Sequence, residues 1–330
     1  MTPERALLER LLAGPVSGDA LARASGQTRA AVWKRIEALR AAGVAIEARR
    51  GRGYALAQPL ELLDPERIRA ALPEDVGAAV VALEVAWSLD STSSELLRRD
   101  TPQGGVAVLM AERQSDGRGR RGRGWASPLV ANLYLSLSRR FAGGLARLGG
   151  LGVVAGVAAA EALHELGAGA VRLKWPNDLV VVDADGRLHK LGGLLVEGSG
   201  EHAGPARAVL GLGLNLRMPS AAAAAIDQPW TDLGTVLGRV ASRNLVAARL
   251  VAALVPALAL FDREGLAPFL PRFAALDALA GRPVRVEIAG AGHDGIALGA
   301  AADGALRVRT GDRERTFHAG EVSVRAGAGR

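Results

Sequence analysis

Four short stretches of this 330-residue chain combine residue types suited to holding an anion beside a small polar ligand. The longest is Glu112-Arg113-Gln114-Ser115-Asp116-Gly117-Arg118-Gly119-Arg120-Arg121-Gly122-Arg123-Gly124-Trp125. Glycines free the backbone and arginines alternate with them, so the segment can close over a phosphate with both backbone N–H groups and guanidinium forks. A disordered Arg-Gly segment that binds RNA is the competing reading. It is disfavoured because strands are expected close by on both sides, at 106–112 and 132–138, and no repeat extends the pattern. The second stretch, Leu89-Asp90-Ser91-Thr92-Ser93-Ser94-Glu95, offers hydroxyls that can cap a helix or contact a small polar ligand. The third, Lys174-Trp175-Pro176-Asn177-Asp178, is a sharp turn between two strands that exposes an amide and a carboxylate. Asp178 could help hold Mg²⁺ on a nucleotide, because such sites use few carboxylates plus substrate oxygens. The fourth is Lys190-Leu191-Gly192-Gly193 followed by Gly211-Leu212-Gly213-Leu214-Asn215, which puts glycine in strands, where it costs stability unless something must come close.

Composition limits what these stretches can do. No cysteine is present, so there are no disulfides, thiolate metal sites or enzyme thioesters. The five histidines (His164, His189, His202, His293, His318) lack ligand spacing. Of 41 basic residues only Lys34, Lys174 and Lys190 are lysine, which suggests that a compact ammonium is wanted at those positions. The N-terminus lacks an apolar signal core, and the longest apolar run, 250–261, is interrupted by Pro256 and too short to cross ~30 Å of hydrocarbon. A cytoplasmic protein without a membrane partner is expected. Net charge is +7, and residues 1–60 carry ten basic and five acidic side chains, so a polyanion partner is expected for this end.

The elements that must position these residues are legible in outline. Helices are predicted over 4–13, 18–24 and 28–42, with Ser25-Gly26-Gln27 as the turn between the last two and Thr28 as a cap. A hairpin of 44–48 and 54–56 follows, its tip Arg49-Arg50-Gly51-Arg52-Gly53. This is helix-turn-helix grammar with a basic wing, and Gln27, Thr28, Arg29, Trp33, Lys34, Arg49, Arg50 and Arg52 are the expected DNA-facing residues. Short strands are predicted at 283–288, 295–300, 305–310 and 313–318.

In this order the motifs resemble one family, the bifunctional biotin protein ligases that also repress biotin operons. The resemblance spans almost the whole chain: the N-terminal module, Ser91-Thr92, Gln114, the loop from Gly117 to Arg123, Lys174 to Asp178, Lys190 to Glu197, and Gly211 to Asn215. It implies an α+β multidomain protein. A winged helix-turn-helix over 1–62 would precede a catalytic α/β domain related to class II aminoacyl-tRNA synthetases over 63–275, with an SH3-like β-barrel over 276–330. It implies ATP and Mg²⁺ as cofactors, biotin as substrate, and biotin carboxyl carrier protein (a subunit of acetyl-CoA carboxylase), operator DNA and a second copy of the chain as partners. By similarity, Ser91, Thr92, Ser93, Gln114, Gly117, Arg118, Gly119, Arg120, Trp125, Lys174, Asn177, Asp178, Lys190, Gly192 and Asn215 line the biotin and adenylate site. Arg118, Arg120, Arg121 and Lys190 carry the chemistry, and Asp178 is the Mg²⁺ ligand. Two positions depart from the family pattern. Ser93 stands where Asn is usual, and Asp116 is expected to pair with a loop arginine. Lipoate protein ligase and a catalytically silent, effector-binding regulator are the competing functions.

Overall fold

The computed structural model describes residues 2–202, 204–288, 291–318 and 323–326, without the side chains of 323–326. The chain opens with three helices, α1 (Pro3–Leu12), α2 (Gly18–Ser25) and α3 (Arg29–Ala41). Thr2, Ser17 and Thr28 cap them by accepting from backbone N–H groups, and Gly26 ends α2 in the left-handed conformation, φ 63°. A hairpin of β1 (Ile46–Arg49) and β2 (Gly53–Leu56) forms the wing. Leu8, Leu11, Leu21, Val32, Ile36 and Leu39 make the core of this unit, and Leu129 and Val130 join it from the middle of the chain.

Two short helices, α4 (Pro65–Ala70) and α5 (Glu74–Ala79), lead into a seven-stranded sheet. Its strands are β3 (Val80–Ala86), β4 (Val106–Ala111), β5 (Leu133–Phe141), β6 (Val171–Lys174), β7 (Asp178–Val182), β8 (Leu188–Gly200) and β9 (Ala206–Leu214). Their spatial order is β3-β4-β5-β9-β8-β7-β6, and only β3 and β4 pair in parallel. α6 (Thr92–Arg98) follows β3, and α7 (Leu151–Glu165) follows β5. After the short α8 (Ser220–Ala223) and α9 (Leu233–Leu237) comes α10 (Arg243–Glu264), which packs with α7 on one face of the sheet. Along β5, Leu133, Leu135 and Leu137 point into that shared core, which leaves Tyr134 and Ser136 on the opposite face. The functional cleft lies on that second face.

Pro256, which interrupts the apolar run 250–261 in sequence, lies inside the continuous 22-residue helix α10. It sits on the exposed side of the helix, where water can take the carbonyl that proline leaves free. The segment 145–165 and α10 are each long and apolar enough to cross a membrane. Both are packed into the core of the sheet.

After α11 (Leu270–Leu276), five strands form an antiparallel sheet: β10 (Pro283–Ile288), β11 (Ala291–Ala300), β12 (Leu306–Thr310), β13 (Arg313–Phe317) and β14 (Ser323–Ala326), ordered β13-β12-β11-β10-β14. Four of them match the predicted strands, with β11 beginning earlier, and β14 was not predicted. This sheet is seated on the central one: Trp175 Nε1 donates to Gly304 O at 2.8 Å, and Ala278 N donates to Leu173 O at 2.8 Å.

One buried ion pair joins distant segments. Arg243, at the start of α10, meets Glu112, at the end of β4, at 2.6 Å, with both side chains at most 5% exposed. Glu112 also accepts from Leu63 N at 2.6 Å, and Arg243 donates to Glu61 O and Asn132 O, each at 2.8 Å. The linker after the winged helix is therefore held by both partners. Breaking such a pair strands a buried charge, which typically costs about 3–5 kcal/mol. Glu112→Gln is accordingly expected to lower the unfolding free energy by about that amount in urea titration. A loss within error of zero would remove the pair as an anchor.

Candidate active site and nucleic-acid interface

A cleft of about 1030 Å³ opens between the arginine loop, the β6–β7 turn and the exposed face of β5, β8 and β9. Ser91, Thr92, Ser93, Gln114, Gly117, Arg118, Gly119, Arg120, Arg121, Trp125, Lys174, Asn177, Asp178 and Lys190 all line it. Ser91 caps α6 by accepting from Ser94 N at 3.4 Å. Asp90, just before it, accepts from Ser91 N at 2.7 Å and chelates Arg98 at 2.7 and 2.9 Å. The hydrogen bonds from Arg98 hold the Asp90 carboxyl down at about 2.

The floor is a chain of hydrogen bonds whose directions can be assigned. Gln114 Oε1 faces Thr92 N at 2.9 Å, which fixes the amide orientation because a backbone N–H only donates. Thr92 Oγ1 lies 3.1 Å from the same oxygen, so it too must donate. Its single proton is then spent, and Ser136 Oγ, 2.7 Å away, donates to Thr92. Ser93 Oγ, 3.0 Å from Ser136 Oγ, must in turn donate to Ser136. The three buried hydroxyls thus turn only lone pairs toward the cleft.

The loop above this floor is ordered by its own backbone. Trp125 N donates to Gly117 O and Gly119 N to Arg123 O, each at 2.7 Å, while Arg121 sits at φ 57° between them. Gly117 has no room for a side chain: a Cβ would meet Trp125 O at 2.6 Å and Ser127 Oγ at 2.7 Å. Arg118 pairs with Glu197 on β8 at 2.6 Å, and Arg120 Nη1 donates to Asn177 Oδ1 at 3.3 Å. Burial, helped by neighbouring Arg121 and opposed by Asp178, lowers the Arg120 pKa. Asp116 does not take the expected role. Among the described residues it forms no ion pair, its N–H is tied to Asp90 O at 2.9 Å, and Glu197 is the carboxylate that reaches the loop.

At the other end, Lys190 Nζ contacts Asp178 Oδ1 at 2.7 Å and lies 5.5 Å from the Trp125 ring centroid. Among the described residues no three His, Asp or Glu side chains converge. Asp178 therefore suits Mg²⁺ only as a lone protein ligand beside phosphate oxygens and water.

Two expected residues lie outside the cleft. Gly192 faces inward, where a Cβ would meet Gly213 O, Leu179 and Leu214, because successive strand positions alternate sides. Asn215 is buried and donates to Thr231 O at 3.0 Å and Lys190 O at 3.4 Å, so it braces the backbone of Lys190. Its place is taken by Ser136, Gly193, Gly211 and Gly213, which do line the cleft. Gly193 and Gly213 are register partners, and the Trp125 indole lies on both. The cost of glycine in strands had already pointed to Gly193, Gly211 and Gly213, and the alternation along β5 is the sequence signal for Ser136.

In the winged helix, Trp33, Lys34, Arg50 and Arg52 are exposed on α3 and the wing tip. Arg29 is exposed but paired with Asp19 at 3.2 Å, and Arg49 with Glu47 at 3.2 Å. Thr28 is occupied as a cap. Gln27 is half-buried, and its Oε1 is buried without a partner, so it departs from the open face assigned to it.

Gly213 tests the seating of the indole. A Cβ there would lie 2.4 Å from Trp125, whereas at Gly124 it would meet nothing. Gly213→Ala is expected to lower stability by about 1–3 kcal/mol through overpacking and to speed tryptic cleavage of the arginine loop, with Gly124→Ala close to wild type. Thermal melting and timed proteolysis read both, and equal behaviour of the two variants would refute the packing role.

Three family profiles match the chain. Residues 4–55 match an HTH domain, residues 86–215 the biotin/lipoate A/B protein ligase family, and residues 280–325 the biotin protein ligase C terminal domain. The bifunctional ligase/repressor BirA of Salmonella typhimurium is 41% identical over 310 residues, covering 94% of this chain and 93% of that protein. The Escherichia coli protein of the same name is 40% identical over the same coverage. Among solved structures, a biotin protein ligase from Aquifex aeolicus in complex with biotin and ATP shares the fold, with TM-score 0.62 and 24% identity over 75% of this chain and 100% of that one. With a DNA-binding module, a ligase domain and the matching C-terminal domain in one continuous alignment, the chain belongs to the family of bifunctional biotin ligase/repressors.

Proposed function

We propose that this chain condenses biotin with ATP to biotinyl-5'-AMP, releases pyrophosphate, and transfers biotin to a lysine ε-amine of biotin carboxyl carrier protein. The observation that carries this reading is the polarity of the cleft floor. Thr92, Ser93 and Ser136 have committed their protons, so they accept from a ligand that brings N–H donors. The ureido ring of biotin has two such groups, and its carbonyl can take the hydroxyl proton that Ser91 keeps after accepting from Ser94 N. Lipoate offers a dithiolane with no N–H, which would leave these acceptors buried and unpaired.

A carboxylate is a poor electrophile, and here the residues can convert it. Lys190 can leave Asp178 to hold the ligand carboxylate as it attacks the α-phosphorus. Arg118, Arg120 and Arg121 line the same cleft and would neutralise the phosphate charge that moves toward the leaving pyrophosphate. Mg²⁺, held by Asp178, would neutralise further phosphate charge. In the second half-reaction the carrier amine attacks the acyl carbon and AMP departs with the bond electrons. Positioning is then the main demand, and no protein nucleophile is needed.

The rest of the proposal is structural and regulatory. Boundaries at 62/63 and 275/276 suit the linker held by Glu112 and Arg243 and the end of α11. The five-stranded terminal sheet is read as an SH3-like barrel and the central domain as a relative of class II aminoacyl-tRNA synthetases. A cytoplasmic location, an adenylate-bound homodimer and paired winged helices on a two-fold operator complete the reading.

Incubation with ATP, Mg²⁺ and either biotin or lipoate, followed by mass spectrometry, is expected to show biotinyl-AMP and a labelled apo carrier domain with biotin alone. No adenylate from folded protein would favour the silent regulator, and lipoyl-AMP would favour the lipoate ligase. For DNA, Arg50→Ala with Arg52→Ala is expected to flatten the slope of log binding constant against log salt by about one per lost phosphate contact. An unchanged slope would remove the wing tip from the interface.

A further inference from the structure

We infer that Ser127 is a positioning residue that joins the floor of the ligand cleft to the base of the arginine loop. Its hydroxyl accepts from Gln114 Nε2 at 3.1 Å and donates to Trp125 O at 2.9 Å. The floor and this link form one directed chain, from Ser93 to Ser136, Thr92, Gln114, Ser127 and the Trp125 carbonyl. Each member donates toward the loop, and such chains polarise and strengthen one another in a low-dielectric setting. The Trp125 peptide is where the loop closes, because its N–H donates to Gly117 O while its carbonyl takes the end of the chain. Gly117 packs directly on the link, since a Cβ there would meet Ser127 Oγ, Gln114 Nε2 and Trp125 O within 3.0 Å. A ligand N–H donated to Ser93, Ser136 or Thr92 therefore reinforces the bond that closes the loop. Without the Ser127 hydroxyl, Gln114 loses its acceptor, Trp125 O loses its donor, and the floor no longer communicates with the loop.

The inference rests on biotin as the ligand, so the experiment reads binding and loop closure separately. Biotin affinity of the full chain is measured by calorimetry, and trypsin cleavage within residues 118–123 is timed by mass spectrometry with and without saturating biotin. In wild type, biotin is expected to slow cleavage of the loop. In Ser127→Ala, biotin is expected to bind about threefold to tenfold more weakly, the size of one lost hydrogen bond, and even at saturation to leave cleavage close to the unliganded rate. Ser127→Thr, which retains the hydroxyl, is expected to restore protection, and the nearly isosteric Ser127→Val is expected not to. The Thr and Val pair keeps the comparison decisive if the alanine variant fails to fold. Equal protection of Ser127→Thr and Ser127→Val, or wild-type protection in Ser127→Ala, would overturn the inference while leaving the ligase reading intact. A wild-type chain that binds biotin without any change in cleavage would overturn it as well. A wild-type chain that binds no biotin would overturn the ligand assignment, and the inference with it.

Discussion

The architecture depends on one desolvated charge pair. Glu112 and Arg243 are 131 positions apart in the chain, and between them they hold the linker through Leu63 N and Glu61 O and the start of β5 through Asn132 O. Removing two charges from water is costly, and their mutual attraction compensates only when the remaining hydrogen-bonding capacity is also used. Both Glu112 oxygens and both terminal Arg243 nitrogens are so used, while Arg243 Nε has no partner among the described residues. The pair therefore specifies geometry more than it adds stability. It fixes where β4 ends, and two residues further on Gln114 must meet Thr92.

The cleft built on that frame keeps its neutral groups and its charged groups apart. Its floor is hydroxyl and amide, neutral and fully directed, which suits recognition of a small polar ring. Its charge lies on the arginine loop and the strands and turn it reaches: Lys190 with Asp178, Arg118 with Glu197, and Arg120 beside Asn177. Of the two ion pairs, Arg118 with Glu197 is the more solvated and so the more readily exchanged for a ligand anion. Glycines at 193 and 213 let the Trp125 indole lie against the sheet, and the indole in turn sits beside the Lys190 ammonium. Rigid recognition and exchangeable charge are thus separated within one cavity.

Local features were legible in the sequence because local chemistry determines them. Thr28 as a cap, Gly26 in the left-handed region, the wing and the hairpin around Asn177 each follow from a few neighbouring residues. Features that depend on strand pairing were not. Gly192 was chosen over Gly193 because composition cannot tell which parity of a strand faces a ligand, whereas register partners decide it. Glu197 and Ser136 reach the site across 79 and 44 positions, and nothing near either of them announces a partner. Arg243 is one of 38 arginines, and only the folded chain distinguishes it as buried. The assignment of Asp116 to an arginine followed adjacency in sequence, but its backbone is drawn to Asp90 and the arginine is drawn to β8.

The arginine loop has a short physical route to the DNA-binding module. Glu112 O accepts from Val130 N at 3.0 Å, so the excursion from 113 to 129 is closed at its base like a ring. Leu129 N donates to Ala42 O at 2.8 Å just beyond α3, and Leu129 and Val130 are buried in the winged-helix core. Val130 holds φ 55°, a conformation a β-branched residue adopts only when its surroundings impose it. One foot of the loop is therefore part of the DNA-binding unit, and the other, Glu112, holds the linker to it. The loop and the winged helix are thus joined through Glu112, Leu129 and Val130, with no element between them.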